Sequence, residues 1–136
     1  MKEIAIYLRL SKADKERTRE SQSIQNQRAL LYKAIREDAS FGEYPITAYI
    51  DDGYSGLQQD RPALCTMMQK IRQKKVVAVF VKDLSRLSRN HVFLAGFMEK
   101  FCPTYQVDLI AVGDGYDSRK EQFVQTATRL RALFYE

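Results

Sequence analysis

Three short runs hold the residues whose types and spacing suit chemistry: Arg9 and Ser11; Asp51, Asp52 and Ser55; and Lys82-Asp83-Leu84-Ser85-Arg86-Leu87-Ser88-Arg89. A hydroxyl nucleophile among guanidinium groups, with carboxylates close by, suits phosphoryl transfer. The transition state of that reaction spreads negative charge over its equatorial oxygens, and planar guanidiniums bind such oxygens two at a time. Electrostatic preorganisation of this kind can be the largest single catalytic contribution, and a serine so placed can form a covalent phosphoserine. No run has the spacing of metal ligands. There is one histidine, His91, and neither HExxH nor CxxC occurs, so the arginines would do the work a metal does elsewhere. Taken singly each feature is weak. A serine two residues after an arginine is common at strand ends, Arg86 and Arg89 read equally well as surface residues pairing with acids, Asp51-Asp52-Gly53 is a turn, and Tyr7 reads as strand packing. Only their convergence in one place would make them a site.

Convergence depends on the elements that carry these residues. Ile4 to Arg9 is rich in β-branched residues and reads as a first strand. From Ser21 to Arg36 the residues Ile24, Leu30, Leu31, Ala34 and Ile35 recur at helical spacing. Ile46 to Ile50 reads as a second strand. Asp60 suits an N-cap and Pro62 a first helical position, for a helix carrying Leu64, Met67, Met68 and Ile71. Val76 to Val81 is continuously apolar, as a strand buried on both faces would be. Asn90 or Ser88 can cap a helix through Val92, Leu94, Phe97, Met98 and Phe101, expected to stop before Pro103. Val107 to Val112 is a fourth strand, and residues 119–136 form a final amphipathic helix. Strands alternating with helices imply an α/β sandwich with a mostly parallel central sheet. Ligands bind such sheets outside the carboxyl ends of the strands, where strand order reverses. If the order begins 2-1-3, the three polar runs meet on one rim.

Composition bounds the rest. A chain of 136 residues with 45% hydrophobic and 29% charged content fits one globular domain. No apolar run approaches the roughly 18–20 residues of a membrane span, and the N-terminal run lacks a signal-peptide cleavage site. Cys65 and Cys102 lie far apart in apolar helical patterns, which predicts two buried free thiols and a cytoplasmic location. The net charge of +5 conceals an asymmetry: residues 37–60 carry six acids and no base, whereas residues 61–100 carry nine bases against Asp83 and Glu99. One strongly positive part of the surface would suit a polyanion; a solvated basic face would explain it equally well.

At these residues the sequence resembles the resolvase and invertase family of serine recombinases, in particular the large type of phages and mobile elements. The matching stretches are Tyr7-Leu8-Arg9-Leu10-Ser11, Glu20-Ser21-Gln22-Ser23-Ile24-Gln25-Asn26-Gln27, Tyr49-Ile50-Asp51-Asp52-Gly53-Tyr54-Ser55-Gly56, Asp60-Arg61-Pro62 and Val81-Lys82-Asp83-Leu84-Ser85-Arg86-Leu87-Ser88-Arg89-Asn90. The resemblance implies a resolvase-like three-layer sandwich, with a central sheet of four to five strands in an order beginning 2-1-3-4.

It further implies that Ser11 attacks a DNA phosphodiester to give a 5′-phosphoserine, followed by strand exchange and religation. Arg9, Arg86 and Arg89 would bind the phosphate and its transition state, and Gln27, Asp51, Ser55, Arg61, Tyr7 and Ser85 would support them. The covalent bond keeps the phosphodiester energy, so neither metal nor other cofactor is expected. The implied partners are double-stranded DNA and further copies of the chain, as homodimer and homotetramer in the full-length protein, with no membrane and no small-molecule ligand. Small resolvases usually carry Asp where this chain has Ser85; the large type commonly has Ser, which leaves the general acid unassigned. Residues 1–136 read as a catalytic domain ending within the long C-terminal helix, without a DNA-binding domain. Two alternatives remain at this point. One is a degenerate recombinase acting as a DNA-binding or assembly factor. The other is a flavodoxin-like ligand-binding module, against which the lack of a glycine-rich phosphate loop counts.

Overall fold

The structure is a computed structural model and describes residues 2–10, 20–52 and 61–120, the side chains of residues 10, 20–23 and 52 excepted. Strands β1 (Glu3–Leu10), β2 (Ile46–Asp52), β3 (Val76–Val81), β4 (Asp108–Ala111) and β5 (Tyr116–Asp117) form one sheet in the order β2-β1-β3-β4-β5. The first four are parallel and β5 runs antiparallel to β4. The expected order is therefore observed, and the chain reverses direction across the sheet between β1 and β3.

The two-residue period of β1 divides the core. Ile4, Ile6 and Leu8 face Leu31 and Ile35 of α1 (Glu20–Arg36), with Phe41 and Phe80 completing that layer. Ala5 and Tyr7 face the other way, toward Leu64, Met67 and Ile71 of α2 (Pro62–Arg72) and toward Leu94, Phe97 and Met98. Val76–Val81 contributes to both layers, Val79 and Val81 to one and Ala78 and Phe80 to the other, which is why that strand lacks a polar alternation. Each fully buried aliphatic side chain contributes roughly 1.5–3 kcal/mol, so the two faces of β1 anchor the fold.

Three local expectations are corrected. The N-cap of α2 is Arg61, in extended geometry with Pro62 following, and it makes no side-chain cap bond. The first-turn amides of Ala63 and Leu64 are instead met by the carboxylate of Asp51, at 2.9 and 3.0 Å. A buried acceptor from the neighbouring strand end thus takes the place that Asp60, which lies outside the described residues, was expected to fill. Second, after a short helix α3 (Leu84–Leu87), the helix α4 (His91–Gly96), capped by Asn90 through the amides of Val92 and Phe93, does not stop before Pro103. It continues through a π turn, Phe97–Phe101, into a last turn, Cys102–Thr104. The amide of Cys102 reaches back five residues to the carbonyl of Phe97; the widened turn relieves the clash a proline makes in a regular helix. Third, Cys65 is exposed and only Cys102 is buried, because Cys65 follows Leu64 onto the outer side of α2.

The basic run is also divided. Arg61 and Arg86 stand at the carboxyl end of the sheet, whereas Lys70 and Arg72 end α2 and Lys75 lies beside Glu3 at the opposite end, its carbonyl accepting from the Glu3 amide at 2.9 Å. Among the described residues no helix is long and apolar enough to cross a membrane. Of the expected final helix, residues 121–136 lie outside the described residues.

Candidate active site

At the carboxyl ends of β1, β2 and β3, Arg9 and Asp51 are register partners. Tyr7 and Arg9 share the face of β1 that looks toward α2. Both are buried, Arg9 to 1% exposure. A fully buried guanidinium needs acceptors, and these come from the third polar run. Leu84–Leu87 forms a short helix, α3, whose N-cap is Asp83. A four-residue helix cannot satisfy its own last carbonyls. Arg9 donates from Nε to the carbonyl of Arg86 at 3.0 Å and from a terminal nitrogen to that of Ser85 at 2.9 Å. Arg61, also 1% exposed, donates to the carbonyls of Arg86, at 3.2 Å, and Leu87. Cations at the carbonyl end of a helix also complement its dipole. Arg86 closes the arrangement by donating to the carbonyl of Arg9 at 3.1 Å. Arg9 and Arg86 thus grip each other's backbones across the point where strand order reverses.

The carboxylates of Asp51 and Asp83 hold this frame. Asp51, 2% exposed, accepts from the Tyr7 hydroxyl at 2.7 Å as well as from α2. Arg61 lies over the Tyr7 ring at 5.7 Å and donates to its hydroxyl at 3.3 Å. Burial, and then the bond to Asp51, push the Tyr7 phenol well above its usual range, so it stays protonated as a donor. Asp83 accepts from the Ser85 hydroxyl at 2.6 Å and lies 3.9 Å from Arg86 Nε. Burial, with Arg61, Arg86 and Arg89 nearby, pulls the Arg9 guanidinium down to about 10. It remains charged at neutral pH; burial is the main cause of the depression, and the neighbouring guanidiniums add to it.

The structure therefore brings together Arg9, Tyr7, Asp51, Arg61, Ser85 and Arg86. Gln27 joins them from α1, donating to the Arg9 carbonyl at 3.4 Å, while its buried amide oxygen has no partner among the described residues. Its position was legible as a polar residue in the inward stripe Ile24, Gln27, Leu31, Ile35. Arg89 is exposed just beyond α3 and contributes charge toward Arg9. Ser11 and Ser55 lie outside the described residues. Tyr7, read as strand packing, is packed and also hydrogen-bonded into the site. One contributor lay within the polar run and another escaped the sequence reading. Asp83 caps α3, and Asp114, in the 3-10 turn Val112–Asp114 after β4, accepts from the Leu84 amide at 2.7 Å. The capping role of Asp83 was not foreseen, and Asp114 had no signal beyond a short polar residue beside a turn. Among the described residues no three His, Cys, Asp or Glu side chains are grouped to hold a metal ion.

Buried arginines at the switch point of a mostly parallel sheet mark this as an α/β domain with a strongly basic strand-end rim. The sequence pattern of the resolvase N-terminal domain matches residues 4–135, and the chain belongs to that family, the catalytic domains of serine recombinases, which cleave and rejoin DNA. Among solved structures, it is similar to the N-terminal catalytic domain of TP901-1 integrase, with 26% identity over 97% of this chain and 93% of that one and a TM-score of 0.74. A resolvase family site-specific recombinase from Streptococcus pneumoniae shares 29% identity over 98% of this chain and 85% of that one, with a TM-score of 0.69. A serine recombinase from Sulfolobus solfataricus, 18% identical over 98% and 80% with a TM-score of 0.62, shares the fold. No curated protein sequence matches the chain. The family sets aside the flavodoxin-like reading, and site-specific recombination is the function it carries.

Proposed function

We propose that Ser11 is the nucleophile of this recombinase domain, and that Arg86 and Arg89 contact the scissile phosphate within a field supplied by Arg9 and Arg61. The Ser11 oxygen attacks phosphorus, a 5′-phosphoserine bond forms, and the DNA 3′-oxygen leaves with a proton. Religation reverses these bonds with a 3′-hydroxyl as the attacking group. The observation that carries the reading is the packing of Arg9, Arg61 and Arg86 at one strand-end rim, with the carboxylates of Asp51 and Asp83 engaged largely by the Tyr7 hydroxyl, the Ser85 hydroxyl and backbone amides.

The arginines divide the work. Arg9 and Arg61 have donors committed to the carbonyls of α3, so they act through charge and hold the loop. Arg86 and Arg89 are the less buried pair, able to meet a phosphate. Gln27, Asp51, Tyr7 and Ser85 support this frame, Ser55 is given a supporting role by the family resemblance, and the Ser85 hydroxyl is bonded to Asp83. The substrate is double-stranded DNA, recombination passes through homodimers and homotetramers of the full-length protein, and the setting is the cytoplasm of a cell carrying a mobile element. No metal or small-molecule ligand has a part in this scheme.

The test is to incubate the full-length recombinase, with EDTA present, with DNA spanning the junctions of its element, and to resolve the products on a denaturing gel. A protein–DNA adduct at the 5′-phosphate that disappears in Ser11→Ala is expected. An adduct that persists in that variant assigns the nucleophile elsewhere; DNA binding with no adduct from the unaltered protein means a recombinase-like assembly factor.

A further inference from the structure

Outside this site, the β4–β5 connection reaches the end of β3. There, two contacts made by adjacent residues converge on the loop that carries α3. The Gly113 amide donates to the Lys82 carbonyl, and a Cβ built on Gly113 would lie 2.7 Å from that same oxygen. The approach is therefore open only to glycine. One residue on, the Asp114 carboxylate accepts from the Leu84 amide at 2.7 Å. The Val112–Asp114 turn thus seizes the chain on both sides of Asp83, immediately before the helix whose carbonyls hold Arg9 and Arg61.

We propose that Asp114, seated by Gly113, is a positioning residue for strand cleavage: it fixes the entry of α3 and, through the carbonyls of Ser85 and Arg86, the placement of the Arg9 and Arg86 guanidiniums. The path is short. The Leu84 amide is the first donor of α3, which its own turns cannot satisfy. Asp83 secures the amide of the third residue, Arg86, at 3.2 Å. With both amides held and the carbonyl end tied to two buried arginines, α3 is fixed at each end. Releasing the Asp114 contact frees the entry, and a four-residue helix has no length over which to absorb the change. The Arg86 side chain, which leaves α3 in its third position, moves with it. A displacement on the order of 1 Å at reacting groups can cost 10²-fold in rate.

The proposal rests on the reading of Arg9 and Arg86 given above, and two readouts keep the two failures apart. The first is the Arg9 Nε–H resonance of this chain, isotope-labelled and without DNA, with its hydrogen-exchange rate. The second is the rate of 5′-adduct formation by the full-length protein on the junction DNA, measured with DNA affinity. Asp114→Ala should accelerate Arg9 Nε–H exchange at least tenfold and slow adduct formation roughly 10- to 100-fold, with DNA affinity within about twofold. Asp114→Asn keeps an acceptor oxygen for the Leu84 amide and should restore most of both. Gly113→Ala should reproduce the Asp114→Ala defects. Ser118→Ala is the control: it removes an acceptor of the same kind, for the Leu109 amide at 2.9 Å, in the same hairpin but away from α3, and should leave both readouts unchanged.

Wild-type exchange and rate in Asp114→Ala, failure of Asn to rescue, or equal loss in Ser118→Ala would overturn the proposal. Should the unaltered protein form no adduct, the reading of the active site fails, while the Arg9 resonance still decides whether Asp114 positions the arginine.

Discussion

Removing the Asp51 carboxylate tests the frame beneath the arginines. Asp51 is 2% exposed and accepts three hydrogen bonds, from the Tyr7 hydroxyl and from the Ala63 and Leu64 amides. Asp51→Ala strips α2 of its cap, worth about 1 kcal/mol. It also leaves a buried phenol without its acceptor, which costs roughly 1–3 kcal/mol. The sum is about 2–4 kcal/mol, or a fall in Tm of roughly 6–16 °C for a domain of this size. Because one contribution passes through the Tyr7 hydroxyl, Tyr7→Phe should make Asp51→Ala less costly. A double-mutant cycle by urea denaturation, followed by far-UV circular dichroism, should give a coupling of about 1–2 kcal/mol. Additivity within about 0.5 kcal/mol would refute the claim that the phenol and the helix start share one carboxylate. A loss below about 1 kcal/mol in Asp51→Ala alone would refute its role as the cap.

The Tyr7 phenol predicts an alkaline transition of definite sign. Burial and the bond to Asp51 raise its folded pKa above the unfolded value of about 10. The stability it contributes is complete below pH ~10 and declines as the pH rises beyond that; Tyr7→Phe should flatten this part of a pH–stability curve, and an unchanged slope would contradict it. The two cysteines should separate chemically. Cys65 is exposed, whereas burial pushes the Cys102 thiol up to about 12, so a disulfide reagent at pH 8 should label one thiol in the native protein and two in denaturant. Two rapid native reactions would mean that the layer over Cys102 is open. Arg86→Lys should lower adduct formation by two orders of magnitude or more, because an ammonium cannot both hold the Arg9 carbonyl and meet a phosphate as a planar fork can; near-normal rates would remove Arg86 from the site. Arg119→Ala, which breaks contacts of 2.8 Å to Asp38 and 2.7 Å to Asp117 on the surface, should cost no more than about 1 kcal/mol, less at high salt. A larger loss would show that those charges are coupled to the core.

Local pattern was sufficient where neighbours along the chain decide the outcome. The period of two in β1, the unbroken apolar run of β3 and the stripe through Ile24, Leu31 and Ile35 determined strands, helix and parallel sheet, because each element needs one buried face and its spacing announces which. The arginines and the acids at strand ends were also legible, since their types and order resemble a known family. The sequence did not determine what each one touches. Asp51 caps a helix that Asp60 was expected to cap, because the end of β2 delivers a buried acceptor to the start of α2, a relation of packing with no signature along the chain. Arg9 also holds the carbonyls of α3, because a four-residue helix leaves its last carbonyls to whichever donor the fold brings near. The exposure of Cys65 and the course of the helix through Pro103 depend on rotation about a helix axis and on a widened turn, both adjusted to the layer beneath. Asp114 lies thirty residues from the amide it holds. Residue type determined which groups could take part; the order in which the strands lie side by side decided which of them meet.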